Sequence, residues 1–161
     1  MDYQNIFNEA IASLKDEKRY RVFANLERIA GRHPHALWRK ENQNLREVVI
    51  WCSNDYLGMG QHPKVIDAMT ETVQRMGAGA GGTRNISGTN YPLVQLEEEL
   101  ADLHGKEGAL VFSSGFVSNE ASISTIAKLL PDCLILSDQL NHASMIAGVR
   151  GAGTSKKVWR H

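Results

Sequence analysis

The sequence has no apolar run near the roughly 20 residues that a membrane-spanning helix needs, so it predicts no bilayer span. It has no excess of either charge: 18 Lys and Arg stand against 18 Asp and Glu. That balance argues against a nucleic-acid surface, because a phosphate backbone calls for a clear basic excess. Cysteine is scarce. Cys52 and Cys133 show no metal-ligand spacing, and they read as buried thiols of a reducing compartment. The start, Met1-Asp2-Tyr3-Gln4, lacks the basic and apolar stretches of a secretory signal, and early acids (Asp2, Glu9) disfavour a transit peptide. The cytoplasm is the expected setting; a processed form in the mitochondrial matrix would look similar. No internal repeat or low-complexity tract is visible. No metal is expected, and no membrane or nucleic-acid partner.

What is present is a globular composition. The 161 residues are 42% apolar and 22% charged, enough for one domain with a real core. Residues 4–29 read as helical, with Ile6, Phe7, Ala10, Ile11 and Leu14 on one face and Phe23, Leu26 and Ile29 resuming it. Residues 35–47 read as polar and turn-like. Val48-Val49-Ile50-Trp51-Cys52 predicts a strand, and Ser53 to Gly58 a loop. A helix should start near Pro63, with Val65, Ile66, Met69 and Val73 facing inward, and end at Gly77. Pro92 opens a further helix carrying Leu93, Leu96, Leu100 and Leu103, with Glu97, Glu98 and Glu99 placed near its start and Gly105 closing it. Strand 109–112, helix 116–130, strand 133–137, helix 143–149 and a strand opening at Val158-Trp159 follow. This alternation predicts a largely parallel α/β sheet, with ligands beyond the carboxyl ends of its strands. Because the last residues break off as a strand begins, the chain is expected to be the N-terminal part of a longer protein.

Four places carry chemistry. Ser113-Ser114-Gly115 joins a predicted strand to a helix; free backbone N–H groups and the helix dipole there favour an anion, most often a phosphate. Turns of this kind also occur without a ligand. Gly77 to Gly82 follows a helix rather than a strand, so it is not a dinucleotide loop. It leads into Thr83-Arg84-Asn85-Ile86-Ser87-Gly88, whose hydroxyl, guanidinium and amide groups suit a carboxylate or an ordinary surface loop. His142, just past a strand, could stack on a planar ring or move protons; alternatively Asn141 caps a helix and His142 is passive. Arg21, read as lying on the N-terminal helix, could hold a carboxylate, and Lys156 and Lys157 could meet phosphates; solvated charge is the plain alternative for all three.

Five segments change these odds. Ser53-Asn54-Asp55-Tyr56-Leu57-Gly58, Gly82-Thr83-Arg84-Asn85-Ile86-Ser87-Gly88-Thr89, Leu103-His104-Gly105-Lys106-Glu107, Phe112-Ser113-Ser114-Gly115-Phe116 and Ser137-Asp138-Gln139-Leu140-Asn141-His142-Ala143-Ser144 resemble, in order, the α-oxoamine synthase family. The resemblance implies an α/β, fold-type-I pyridoxal-phosphate transferase of the aspartate aminotransferase-like kind. Residues 1–55 would be an N-terminal helical segment with a first strand, and 56–161 the beginning of the large, mostly parallel sheet domain. The second segment, with Trp51-Cys52 and Met59-Gly60-Gln61-His62-Pro63 around the first, resembles the branch that joins glycine to succinyl-CoA, giving 5-aminolevulinate, CoA and carbon dioxide at the entry to haem synthesis. Sister ligases making 2-amino-3-ketobutyrate or 8-amino-7-oxononanoate, and a non-catalytic assembly module, are the alternatives.

By the same resemblance, the backbone of Gly115 and Phe116 holds the cofactor phosphate and His142 stacks on its ring. Asn54 lies near the glycine carboxylate. Arg21, Thr83 and Asn85 surround the succinyl carboxylate, and Ser137 and Lys156 contact succinyl-CoA. The family works as a homodimer with a shared active site. By the resemblance, its Schiff-base lysine lies in a later Thr-x-x-Lys motif, expected beyond His161. The chain alone is therefore expected to be inactive.

Overall fold

A computed structural model describes residues 2–40 and 44–161. It contains two compact units, Met1–Ala78 and Gly79–His161.

The first unit opens with α1 (Tyr3–Asp16), capped by Asp2, whose side chain accepts from the Asn5 N–H. The helix stops far short of the expected residue 29. Lys18 takes a left-handed φ of 56°, and the N–H groups of Arg19 and Tyr20 both turn back to the Leu14 carbonyl, at 2.9 and 3.0 Å. This reversal removes Phe23, Leu26 and Ile29 from any helical stripe. Leu26 instead enters β1 (Leu26–Arg28), which pairs antiparallel with β2 (His35–Trp38); β2 in turn pairs antiparallel with β3 (Arg46–Val49). The stretch 35–47, expected to be a turn, thus supplies one strand and the start of another; its residues 41–43 lie outside those described. Cross-strand partners stabilise what local pattern does not announce. Glu47 accepts from Arg32 and bonds His35, at 2.6 and 2.9 Å, and Arg39 pairs with Glu27. Ala36 is fully buried in the middle strand.

The expected strand 48–52 ends early, at Val49. Cys52 consequently lies in the following loop and is exposed, against the expectation of a buried thiol; Cys133 is half-buried, and both are free. After a 3-10 turn (Met59–Gln61) comes α2 (Pro63–Met76), with Pro63 in its first turn and Gly77 ending it at φ 80°. Its apolar stripe does not face inward: Val65, Ile66, Met69 and Val73 are all exposed. The pattern is that of an amphipathic helix, but within its unit the preceding 3-10 turn is its principal neighbour.

The second unit begins with a π-helical turn, Arg84–Gly88, and continues through α3 (Tyr91–Leu103), α4 (Gly115–Leu129), β4 (Leu134–Asp138), α5 (Ala143–Ala152) and β5 (Ser155–Trp159). β4 and β5 are parallel, in register from Leu134 opposite Ser155 to Asp138 opposite Trp159. This is the expected strand-helix-strand unit. α4 lies along α5, and Gly148 permits the approach: a Cβ there would sit 2.9 Å from the Ile123 Cβ and 3.1 Å from the Asn119 carbonyl oxygen. Ala127, Val149 and Ala152 are buried where the helices meet.

Two expectations fail in this unit. Glu97, Glu98 and Glu99 lie beyond the first turn of α3, which holds no acid, so the helix dipole does not explain them. The stretch 109–112 forms no strand and has no ladder partner among the described residues. Side chains take up its backbone groups instead. The Val111 N–H donates to Glu97 Oε1 at 2.7 Å, and the Val111 carbonyl accepts from Arg84 Nη1 at 3.2 Å. No described helix is long and apolar enough to cross a membrane.

Candidate functional site

The first turn of α4 is built for an anion. Ser114 is the N-cap, and its Oγ accepts from the Val117 N–H at 3.2 Å while its carbonyl accepts from Ser118 at 3.0 Å. That leaves the N–H groups of Gly115 and Phe116 without an acceptor among the described residues. Nothing lies within 4 Å of where a Gly115 Cβ would be, so a ligand can approach the backbone closely. Two convergent donors, the positive end of a helix and open space match a phosphate in charge and shape. The donor set therefore fits the phosphate of the group implied by the sequence motifs.

His142 stands beside this turn. Its ring centroid is 6.4 Å from that of Phe116, edge-on at 68°. The alternative in which Asn141 caps α5 and His142 sits passively in its first turn does not hold: His142 is the N-cap itself. Its Nδ1 accepts from the Ser144 N–H at 3.2 Å and lies 2.6 Å from the Ser144 Oγ. Ser144 Oγ accepts in turn from Asn119 Nδ2 at 3.0 Å. Asn119 and Ser144 went unnoticed in the sequence, because nothing local links residues 25 apart on different helices.

Ser137 and Lys156 line one cleft of about 160 Å³ with Asp138, Ile146, Val149 and Arg150. The parallel register puts Ile135 opposite Lys156 and Ser137 opposite Val158, so Ser137 and Lys156 share a sheet face. Ser137 is 5% exposed, and its Oγ accepts from Asn141 Nδ2 at 2.9 Å. Asp138 Oδ1 accepts from the Leu140 N–H at 2.7 Å, which shapes the turn leading to His142.

Thr83 and Asn85 are exposed on the π turn, which the Gly88 N–H closes on the Thr83 carbonyl at 2.8 Å. Arg84 between them is not available to a ligand carboxylate, contrary to the sequence reading. Its guanidinium holds Glu97 in a bidentate pair at 2.8 and 2.7 Å. Hydrogen bonding from Arg84, then from the Val111 N–H, keeps the Glu97 carboxyl below its ordinary value, and Glu97 raises Arg84. Glu97 is thus an anchor of the loop that the sequence reading missed; the Glu97-Glu98-Glu99 run hid it.

In the first unit, Arg21 lies on the extended segment after α1, not on the helix. It lines a cleft of about 360 Å³ with Leu14, Lys18, Arg19 and Tyr20. Arg19 pairs with Glu17, whereas Arg21 has no ion pair among the described residues. Asn54 is exposed in the loop after β3.

The β4-α5-β5 unit, with two free N–H donors at the start of α4 and an imidazole beside them, is an α/β domain of the class whose ligands lie at strand ends. The chain belongs to the aminotransferase class I and II family, whose model matches residues 46–161. It is 66% identical to the 5-aminolevulinate synthase of Bradyrhizobium diazoefficiens over 161 residues, 100% of this chain and 39% of that protein. It is 53% identical to 5-aminolevulinate synthase 1 of Cereibacter sphaeroides, again over 100% of this chain and 40% of that protein. Among solved structures it is similar to a serine palmitoyltransferase variant of S. paucimobilis with bound PLP and myriocin, at TM-score 0.77 and 27% identity, covering 100% of this chain and 41% of that one. The motif resemblance and the fold-type-I α/β architecture it implied are both borne out. The chain spans about two fifths of the length of the curated relatives it matches.

Proposed function

We propose that the full-length protein condenses glycine with succinyl-CoA to give 5-aminolevulinate, CoA and carbon dioxide, using pyridoxal phosphate. Identity of 66% to a protein of that name, over every residue of the chain, carries this reading. The two free donors at α4, at the positions the motif marks for phosphate, support it independently. When bound, the cofactor supplies an electron sink that makes the glycine Cα proton removable.

This chain's residues bind and orient. The Gly115 and Phe116 N–H groups donate to the phosphate, and His142 offers its ring beside them. Asn54 holds the glycine carboxylate. The motif resemblance assigns Arg21, Thr83 and Asn85 to the succinyl carboxylate, while Arg84 is committed to Glu97. Ser137 and Lys156, which line one cleft, contact succinyl-CoA. A site that pairs with a carboxylate rejects acyl chains lacking one, since its polar groups would be left unpaired. The covalent hold on the cofactor falls to a lysine outside these 161 residues. The working form is a homodimer with a shared site, in the cytoplasm.

The test is CoA release by the full-length protein with glycine and a panel of succinyl-, acetyl-, pimeloyl- and palmitoyl-CoA. Succinyl-CoA should lead in kcat/KM by at least about a hundredfold. Preference for any other acyl group would replace this reading with a sister ligase, and no turnover with any would remove it.

A further inference from the structure

Three side chains on two helices form one directed chain of hydrogen bonds that ends on the His142 ring. A backbone N–H cannot accept, so the 3.2 Å contact from the Ser144 N–H requires a lone pair on Nδ1. With Nδ1 an acceptor, the Ser144 hydroxyl at 2.6 Å is the donor of that pair. The hydroxyl oxygen is then free to accept from the Asn119 amide at 3.0 Å, as observed. Every member has its role set by the next: Asn119 donates to Ser144, and Ser144 donates to His142. Ser144 is 0% exposed, so no solvent molecule can stand in for its hydroxyl. The close packing of α4 on α5 across Gly148 brings Asn119 within reach.

We propose that Ser144 and Asn119 are positioning residues which hold His142 in a single tautomer, with its proton on Nε2, and in a single ring orientation. They thereby tie the ring to α4, the helix whose first turn carries the two free donors. The consequence for a bound cofactor rests on the function proposed above; the tautomer does not. His142 itself is exposed, and without the relay its two neutral tautomers would be separated only by its own cap contact.

The experiment uses the full-length protein with its histidines labelled in nitrogen-15, the His142 signals being assigned by their loss in His142→Gln. The wild-type ring should show the Nε2–H tautomer alone. Ser144→Ala and Asn119→Ala should both move the two ring-nitrogen shifts towards those of a tautomer mixture while far-UV circular dichroism stays unchanged, and Ser144→Thr should move them back. Asn119 is exposed on α4 and alanine favours helix, so Asn119→Ala decides the matter if the buried Ser144 variants do not fold. Unchanged ring shifts in a folded Asn119→Ala or Ser144→Ala protein would overturn the proposal. A second arm measures pyridoxal phosphate dissociation by equilibrium dialysis, where loss of one ordering hydrogen bond should weaken binding about three- to tenfold. If the wild type binds no pyridoxal phosphate, the functional reading fails, and the ring shifts still decide the tautomer.

Discussion

Replacing Gly88 by alanine should damage the protein more than any other single methyl group added to a glycine of the π turn or its surroundings. An ideal Cβ on Gly88 falls 2.1 Å from the Gly82 carbonyl oxygen, 2.7 Å from the Thr83 carbonyl carbon and 2.8 Å from the Gly82 carbonyl carbon. All three obstacles are backbone, so no side-chain rotation relieves them. The chain must open by about 1 Å merely to reach the closest contact that proteins tolerate. Opening it breaks the 2.8 Å bond from the Gly88 N–H to the Thr83 carbonyl that closes the turn. Overpacking of this kind costs typically about 1–3 kcal/mol, and a rigid backbone obstacle puts Gly88→Ala near 3 kcal/mol. Gly108→Ala is the control: nothing lies within 4 Å of its new methyl group, and its effect should stay within about 0.5 kcal/mol. Denaturant unfolding of the full-length protein reads the stability difference. Steady-state kinetics read the second consequence, a rise of about tenfold or more in KM for succinyl-CoA as Thr83 and Asn85 are displaced. A Gly88→Ala protein within about 1 kcal/mol of wild type, with KM unchanged, would refute both the steric reasoning and the assignment of this turn to substrate.

Two further outcomes are expected. The Glu97 carboxyl titrates below its ordinary 4.5 because Arg84 and the Val111 N–H bond its charged form, so its stabilisation is present above that value and fades as pH falls through the depressed one. Chemical denaturation should therefore show wild type more stable than Glu97→Gln at neutral pH, with the gap closing as pH falls below the ordinary carboxyl value; a gap that widens in acid would contradict the linkage. At α4, Ser114→Ala removes a cap and should cost about 1 kcal/mol, whereas Ser114→Asp keeps the cap but sets a negative charge beside the phosphate seat. Ser114→Asp should thus retain stability and lose pyridoxal phosphate affinity in a dialysis measurement, and equal affinity in the two variants would count against the seat.

Much of the second unit was legible because its signals are local. Pro92 at the start of α3, the Ser-Ser-Gly turn before α4 and the leucine run of β4 each act within a few residues, and α3, α4, β4 and α5 came close to where they were expected, although 109–112 formed no strand. The first unit misled where the signal was not local. Phe23, Leu26 and Ile29 continue the apolar spacing of α1 in sequence, yet Lys18 reverses the chain before them. The four-residue strand His35–Trp38 has too little alternation to announce itself, and it exists through its pairing with strands on both sides. The phosphate seat was read from Ser113 to Phe116 for a physical reason, since free helix-start donors follow from the chain's own local conformation.

The amino-acid order alone settled the family, the alternation of strands and helices in the second half, and which turn presents backbone donors. These depend on neighbours in sequence, on capping, and on glycine where a side chain would intrude. Contact between distant residues decided the rest. Arg84 could have been a ligand's cation until Glu97, 13 positions on, claimed it. His142 could have been a passive first-turn residue until Asn119 and Ser144 met across two helices. Charge pairing and hydrogen-bond direction are properties of what lies nearby in space, and only the folded chain determines that.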